Sequence, residues 1–121
     1  MFDHVGVEVS DLKRSSAFYD AVFFALGVRR LHETERAVAY GVNEARFWIV
    51  MRDRPPAPGF GHLAFAASGK AAVDGAFAAG LAHGGRSDGE PGPRPQYGPR
   101  YYAGYLIDPD SLRIEIAAAG R

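Results

Sequence analysis

Residues 3–9, DHVGVEV, decide the fold, because a related pattern returns as GHLAFAA at residues 61–67. In both stretches apolar residues take alternate positions, which is typical of a β-strand that packs one face against a core. The apolar positions are Val5, Val7 and Val9 in the first stretch, and Leu63, Phe65 and Ala67 in the second. His4 and His62 hold equivalent places on the opposite face, at an offset of 62 − 4 = 58 residues. The sequence therefore predicts an internal repeat.

Each of these strands is followed by a helical pattern and then by further strands. Apolar residues four positions apart predict helices at 12–26 and 70–83, each ending next to a glycine. Further strands are predicted at 37–42, 46–52, 101–107 and 112–117. The Gly-, Pro- and Arg-rich segment 86–100 is predicted to be a loop.

The fold class predicted from this repeat is α+β, in a single domain of 121 residues. Repeat one covers about 1–53, a proline-rich linker covers 54–60, and repeat two covers about 61–121. A β-α-β-β-β unit of this size cannot bury its sheet alone. We therefore expect two βαβββ repeats that form one curved mixed sheet, which encloses a cavity and carries both helices outside.

Three side chains of metal-ligand type would converge in this cavity. Ile114 and Ile116 alternate toward the core, so Glu115 faces the cavity together with His4 and His62. A buried carboxylate is costly unless it is protonated, paired or bound to a cation. Two imidazoles and one carboxylate suit a divalent ion such as Fe, Mn, Ni, Co or Zn, with positions left open for substrate or water. Either histidine taken alone could equally be a hydrogen-bonded structural residue.

The composition excludes several classes of function. Lys plus Arg and Asp plus Glu number 14 each, so the formal net charge is 0 and nothing favours nucleic acid or an anionic membrane as a partner. No apolar stretch approaches the ~18 residues that span a bilayer. The N-terminus lacks the pattern of a signal peptide, so we expect a cytoplasmic location. The sequence has no cysteine, which excludes disulfides, thiolate metal sites and cysteine nucleophiles.

Three motifs resemble the vicinal oxygen chelate superfamily, which includes glyoxalase I, extradiol dioxygenases, epimerases, fosfomycin-inactivating enzymes and bleomycin-resistance proteins. These motifs are DHVG at 3–6, GHLAF at 61–65, and DPDS at 108–111 followed by IEI at 114–116. The resemblance implies that His4, His62 and Glu115 are metal ligands. It also implies a homodimer, in which the ligands of one site are sometimes drawn from both chains.

Individual members of that superfamily differ in their site residues. Trp48 stands where glyoxalase I has a fourth ligand, a glutamate, and tryptophan cannot bind the ion. Two histidines and one glutamate are instead the ligand set of extradiol dioxygenases, and Tyr105 stands where those enzymes carry an active-site tyrosine. However, Gln96 occupies the region of their catalytic histidine, and Ser111 replaces the glycine of the common Asp-Pro-Asp-Gly turn.

Two functions follow as the main hypotheses. The first is a metal-dependent lyase or dioxygenase that acts on a small oxygenated substrate chelated by the ion, with Tyr105 donating or relaying a proton. The second is a metal-free protein that binds a small molecule or a drug, with Trp48 and nearby tyrosines as a stacking cleft. The net charge of 0 argues against a binder of cationic drugs. A structural remnant without metal or ligand is a third hypothesis.

The segment 89–100 is expected to lie at the rim of the cavity. Its four prolines limit its conformational entropy, so it could present Arg94, Tyr97 and Arg100 to a carboxylate or phosphate of the substrate. A surface loop with solvated arginines is an equally good interpretation. Tyr97, Tyr101 and Tyr102 could each form the wall of the substrate pocket or simply pack within the loop.

Overall fold

Two β-α-β-β-β units follow each other along the chain, as the repeat predicts. The computed structural model describes residues 1–57, 59 and 61–121, so Pro58 and Phe60 of the predicted linker lie outside the described residues. The first unit comprises β1 (Val5–Glu8), α1 (Leu12–Phe24), β2 (Arg29–Glu33), β3 (Ala37–Gly41) and β4 (Phe47–Val50). The second comprises β5 (His62–Ala66), α2 (Lys70–Ala82), β6 (Arg86–Pro93), β7 (Tyr102–Ile107) and β8 (Arg113–Ala118). Among the described residues, no helix has the length and apolar character needed to cross a membrane.

The strands form two four-stranded mixed sheets, with the orders β1-β4-β3-β2 and β5-β8-β7-β6. In each sheet the first strand of the unit pairs in parallel with the last, and the remaining pairs are antiparallel. The predicted α+β fold of two repeats is therefore confirmed. The expectation of one continuous sheet is wrong, because β1 and β5 are both edge strands and no ladder joins the two sheets in the described part of the chain.

Each helix packs against its own sheet, and the two helices also contact each other. Phe18 and Phe23 of α1 and Phe77 of α2 are buried in one core with Ile114 and Ile116 of β8. The alternating apolar positions of the two repeats all belong to this core or pack against it: Val5, Val7, Val9, Leu63, Phe65 and Ala67. The opposite face of each sheet is therefore turned away from the helices.

The helices end slightly earlier than predicted. α1 ends at Phe24 and not at residue 26, because Gly27 takes a φ of 73° and reverses the chain. The Phe23 carbonyl accepts the backbone N–H groups of Leu26 at 2.9 Å and Val28 at 3.0 Å, which closes the last turn. α2 ends at Ala82, one residue before the predicted bound.

The strands β2 and β6 have no counterpart among the predicted strands. β6 lies in the segment 86–100, so the prediction of a loop is wrong for residues 86–93. Both are edge strands, where one side of the backbone stays unpaired and charged residues and prolines are tolerated. β6 remains paired with β7 as far as Pro93, and the register of the two strands shifts on either side of Gly89.

A buried aspartate closes the turn between β7 and β8. Asp108 Oδ1 accepts the backbone N–H groups of Asp110 at 2.9 Å and Leu112 at 2.8 Å, and Oδ2 accepts the hydroxyl of Tyr19 at 2.6 Å. Burial raises the pKa of Asp108, and these hydrogen bonds oppose that change. Ser111 has a φ of 73°, and among the described residues it is the only one other than glycine in the left-handed region.

Candidate active site

His62 and Glu115 meet on the second sheet, on the face opposite the helices. β5 and β8 are parallel neighbours, and alternation along β8 buries Ile114 and Ile116 in the core while Glu115 points the other way. His62 Nε2 lies 3.2 Å from Glu115 Oε1. The Glu115 side chain is 6% exposed and the His62 side chain is 45% exposed, so the pair connects a buried carboxylate to an open imidazole.

Tyr101 holds the second oxygen of this carboxylate. Its hydroxyl donates a hydrogen bond to Glu115 Oε2 at 2.5 Å, which leaves Oε1 directed toward His62. Because that bond favours the neutral phenol, it raises the pKa of Tyr101 to about 12, with a smaller contribution from burial. The sequence pattern left Tyr101 open between pocket wall and loop packing and did not connect it with Glu115, although the alternation that continues into β7 places it on the same face as Tyr105.

Tyr105 lies beside Glu115, with which it is paired in the register of β7 and β8. The Cζ atoms of Arg113 and Arg94 are 4.1 Å and 5.5 Å from the centroid of the Tyr105 ring. Burial raises the pKa of Tyr105 and the charge of Glu115 adds to the rise, while the two guanidinium groups oppose it. The phenol is therefore neutral at neutral pH, and it can donate a proton or a hydrogen bond.

These side chains line a cavity of about 470 Å³, a size suited to a small molecule. Five of the residues predicted from the sequence line it: His62, Arg94, Tyr97, Tyr105 and Glu115. Arg113 and Asp88 line it as well, joined by an ion pair of 2.6 Å between Arg113 Nε and Asp88 Oδ2. The sequence held a signal for Arg113, because a residue two positions before Glu115 lies on the same face of a strand.

His4 does not reach this cavity within one chain. It precedes β1 of the first sheet, where its Nδ1 lies 2.8 Å from Asp3 Oδ1 and its side chain is 56% exposed. Within residues 1–57, 59 and 61–121, no group of three His, Cys, Asp or Glu side chains could hold a metal ion. A single chain therefore brings together two of the three predicted ligands.

Trp48 also belongs to the first sheet. It lies on β4 opposite Gly6 of β1, and its ring centroid is 5.6 Å from that of His32. Since Gly6 follows His4 by two positions, Trp48 and His4 share the face of the first sheet that is turned away from α1. Trp48 is not among the residues that line the cavity around His62 and Glu115.

Arg100 and Tyr102 lie outside the cavity. The Arg100 guanidinium donates from Nε to the carbonyl of Gly120 at 3.1 Å, so it ties the loop to the C-terminal segment. The Tyr102 hydroxyl donates to Asp74 Oδ1 of α2 at 2.6 Å, on the helix side of the sheet. Neighbouring residues of a strand point to opposite faces, which explains why Tyr101 and Tyr102 diverge.

The fold and the site together agree with one family. The family model described as the Glyoxalase/Bleomycin resistance protein/Dioxygenase superfamily matches residues 1–116. The chain belongs to this superfamily, as the motifs around His4, His62 and Glu115 predict.

Solved structures support the same assignment. A glyoxalase/bleomycin resistance protein from Albidiferax ferrireducens T118 is 34% identical in sequence, with a TM-score of 0.86 over 98% of both chains. A glyoxalase/bleomycin resistance protein/dioxygenase family enzyme from Burkholderia phytofirmans PsJN shares the fold at 19% identity, with a TM-score of 0.75 over 96% of both chains. The fosfomycin resistance protein FosX from Mesorhizobium loti shares it at 19% identity and a TM-score of 0.71, over 98% of this chain and 91% of its own. A search of curated proteins gave no match.

Proposed function

We propose that the protein is a metal-dependent enzyme, a lyase or a dioxygenase, that acts on a small oxygenated substrate. The observation that supports this most is the 3.2 Å approach of His62 Nε2 and Glu115 Oε1 in a cavity that also contains the neutral Tyr105. These two residues and His4 of a second copy of the chain would hold a divalent ion. When bound, such an ion supplies Lewis-acid stabilisation of the substrate oxygens.

The chain's own residues have separate roles in this proposal. Tyr101 keeps Glu115 in one orientation, so that Oε1 remains available beside His62. The Tyr105 hydroxyl donates its proton to a substrate oxygen that becomes negative during the reaction. Ala103 and Ala117 pack with these two tyrosines in a small apolar cluster, which supports the tyrosine rings at the cavity wall.

A homodimer would supply the third ligand. His4 stands next to β1 and His62 begins β5, and both strands are sheet edges within the described residues. Beside β5 lies an apolar cleft of about 620 Å³ that includes Phe2, which is 77% exposed, and Val42, which is 57% exposed. Exposed apolar surface of this kind is typical of an interface. A second copy bound there would cover Phe2 and Val42 and bring its own His4 toward the cavity.

Metal content tests the ligand set. After reconstitution with Fe, Mn, Ni, Co or Zn and dialysis, we expect the wild-type protein to retain a stoichiometric ion. The variants His4→Ala, His62→Ala and Glu115→Gln should lose it. His83→Ala is the matched control, because His83 Nδ1 lies 2.9 Å from the Ala79 carbonyl at the end of α2, away from the cavity. A wild-type protein that keeps none of these ions contradicts the proposal and favours a metal-free binder.

Mixing two variants tests whether one site uses two chains. His4→Ala and His62→Ala should each bind no ion alone, whereas their heterodimer would contain one intact site of two. After subunit exchange in an equal mixture, metal content should recover to about a quarter of the wild-type value. Absence of recovery, under conditions where two differently tagged wild-type chains exchange, would contradict a site shared between copies.

A further inference from the structure

We propose that the substrate carries an acidic group, a carboxylate or a phosphoryl group, and that Arg94 and Arg113 bind it. This inference rests on the proposed function only for the opposite end of the substrate, which would meet His62 and Glu115. The two arginines line the same cavity of about 470 Å³ as that pair, so a small molecule can reach both ends at once.

Arg94 is a cation of the cavity whose hydrogen-bonding capacity is only partly used. Its Nη2 donates to the Glu90 carbonyl at 2.7 Å, which fixes the direction of the side chain. Its Nε is the only buried side-chain nitrogen or oxygen without a hydrogen-bond partner among the described residues. No carboxylate of the described part of the chain forms an ion pair with it either. A buried N–H group without a partner costs free energy, and a ligand that supplies a hydrogen-bond acceptor would remove this cost.

The backbone of β6 is shaped to admit this arginine. Gly89 has a φ of 152°, and a Cβ atom added there would lie 3.1 Å from Tyr105 Cδ2 and 3.6 Å from Arg94 Nη2. The register between β6 and β7 shifts on both sides of Gly89, as at a bulge that redirects neighbouring side chains. A side chain at position 89 would press on the ring of Tyr105, against which Arg94 lies, whereas its contact with Arg94 itself would be an ordinary one.

Arg113 approaches Tyr105 from the other neighbouring strand. β7 lies between β8, which carries Arg113, and β6, which leads to Arg94. Arg113 donates from Nε to Asp88 Oδ2 at 2.6 Å, and this single bond leaves its Nη groups for another acceptor. Planar guanidinium groups bind carboxylate and phosphoryl oxygens through paired, charge-assisted hydrogen bonds. An uncharged ligand group forms weaker hydrogen bonds with them.

Benzoate and its uncharged isostere benzamide test the proposal on metal-free protein, with the affinity measured by calorimetry or by NMR. Inorganic phosphate is titrated in parallel and distinguishes a phosphoryl site from a carboxylate site. We expect benzoate or phosphate to bind, and benzamide to bind at least about tenfold more weakly, which corresponds to ~1.4 kcal/mol. Equal affinity for benzoate and benzamide, together with no binding of phosphate, would overturn the proposal.

Variants assign the effect to the two arginines. Arg94→Ala and Arg113→Ala should each weaken anion binding by about tenfold or more. Arg100→Ala is the matched control, since Arg100 lies in the same loop but donates to Gly120 and lies outside the cavity. Asp88→Asn should strengthen anion binding, because it removes the carboxylate that competes for Arg113. Unchanged affinity in Arg94→Ala and Arg113→Ala would overturn the proposal even if the protein binds anions elsewhere.

The two proposals fail separately in these measurements. Anion binding to metal-free protein does not require His62 or Glu115, so a loss of the proposed metal site leaves the arginine result intact. Conversely, a protein that retains a divalent ion but shows no arginine-dependent anion binding keeps the proposed function and loses this inference. A circular dichroism spectrum like that of the wild-type protein shows that Arg94→Ala is folded, whether or not the protein binds an ion.

Discussion

Tyr101 and Tyr102 are neighbours in sequence, yet they form hydrogen bonds on opposite faces of the second sheet. Tyr101 donates to Glu115 in the cavity, and Tyr102 donates to Asp74 on α2. Both bonds join a phenol to a carboxylate at closely similar distances, 2.5 Å and 2.6 Å. Replacing either tyrosine with phenylalanine would therefore remove the same kind of hydrogen bond, but only Tyr101 lies beside the candidate metal site.

Tyr101→Phe should lower the affinity for a divalent ion by about ten- to a hundredfold, because removing a group that orients a ligand has effects of this size. Tyr102→Phe should leave that affinity unchanged. Competition with a chelator measures both variants against the wild-type protein. An equal loss in both variants would mean that the effect comes from stability and not from the orientation of Glu115.

For individual residues, the sequence predicted the face of a side chain better than it predicted the hydrogen-bond partner. Alternation along the last strand correctly placed Glu115 opposite Ile114 and Ile116. Applied to the predicted strand 101–107, the same rule separates Tyr101 from Tyr102 and would have removed Tyr102 from the candidates for the pocket wall. The direction of the Arg100 side chain could not be predicted, because in a loop it depends on contacts such as that with the Gly120 carbonyl.

The two glycines inside α2 show how an element is matched to its neighbours. A Cβ at Gly80 would lie 2.5 Å from Leu106 Cδ1 and 3.1 Å from Val22 Cγ2, so this position lets α2 approach β7 and α1 closely. A Cβ at Gly75 would meet only Ala25 Cβ, at an ordinary contact distance of 3.6 Å. The two positions have the same helical backbone but different space around them.

Gly75→Ala should raise the free energy of unfolding by up to about 1 kcal/mol, since alanine favours the helix. Gly80→Ala should lower the free energy of unfolding by about 1 to 2 kcal/mol, because the cost of overpacking the core is larger than the gain in helix propensity. Urea denaturation measures both. Stabilisation by Gly80→Ala would show that Leu106 and Val22 can move aside without cost.

Among the elements, both helices and the strands β1, β3, β4, β5, β7 and β8 were predictable because they carry apolar periodicity. β2 and β6 were not, since their residues are largely exposed at the sheet edges and show no alternation. β6 is a strand because it pairs with β7, whereas the prolines in its own sequence are typical of a loop. A pattern within one segment cannot reveal such a partner.

The proposed dimer would cover the apolar cleft that contains the exposed side chains of Phe2 and Val42. Val42→Asp should abolish association, because a carboxylate would be buried in an apolar interface without a partner. Sedimentation should then show a dimer for the wild-type protein and a monomer for the variant. Leu81→Asp is the matched control, since Leu81 is 42% exposed on α2 and does not line the cleft. A monomeric wild-type protein at micromolar concentration would contradict the homodimer.

For the molecule as a whole, the sequence predicted the two repeats but not how they are joined. An offset of 58 residues relates His4 to His62 in the chain, yet equivalence in a repeat does not require contact in space. Whether two sheets meet depends on which edges lie side by side, and β1 and β5 carry no residue pattern that specifies it. The separation of His4 from Glu115 could therefore be found only from the folded chain.

The two alanines beneath Tyr101 and Tyr105 have a practical consequence for re-engineering the cavity. Ala103 is fully buried and Ala117 is 8% exposed, and both pack on the cavity side of the second sheet. Neither alanine lines the cavity itself, so a larger side chain at either position would act by pushing the Tyr101 and Tyr105 rings toward a bound ligand. Because both alanines face away from the helical core, a mutant library limited to these two positions would narrow the cavity through its tyrosine wall while sparing the packing of α2.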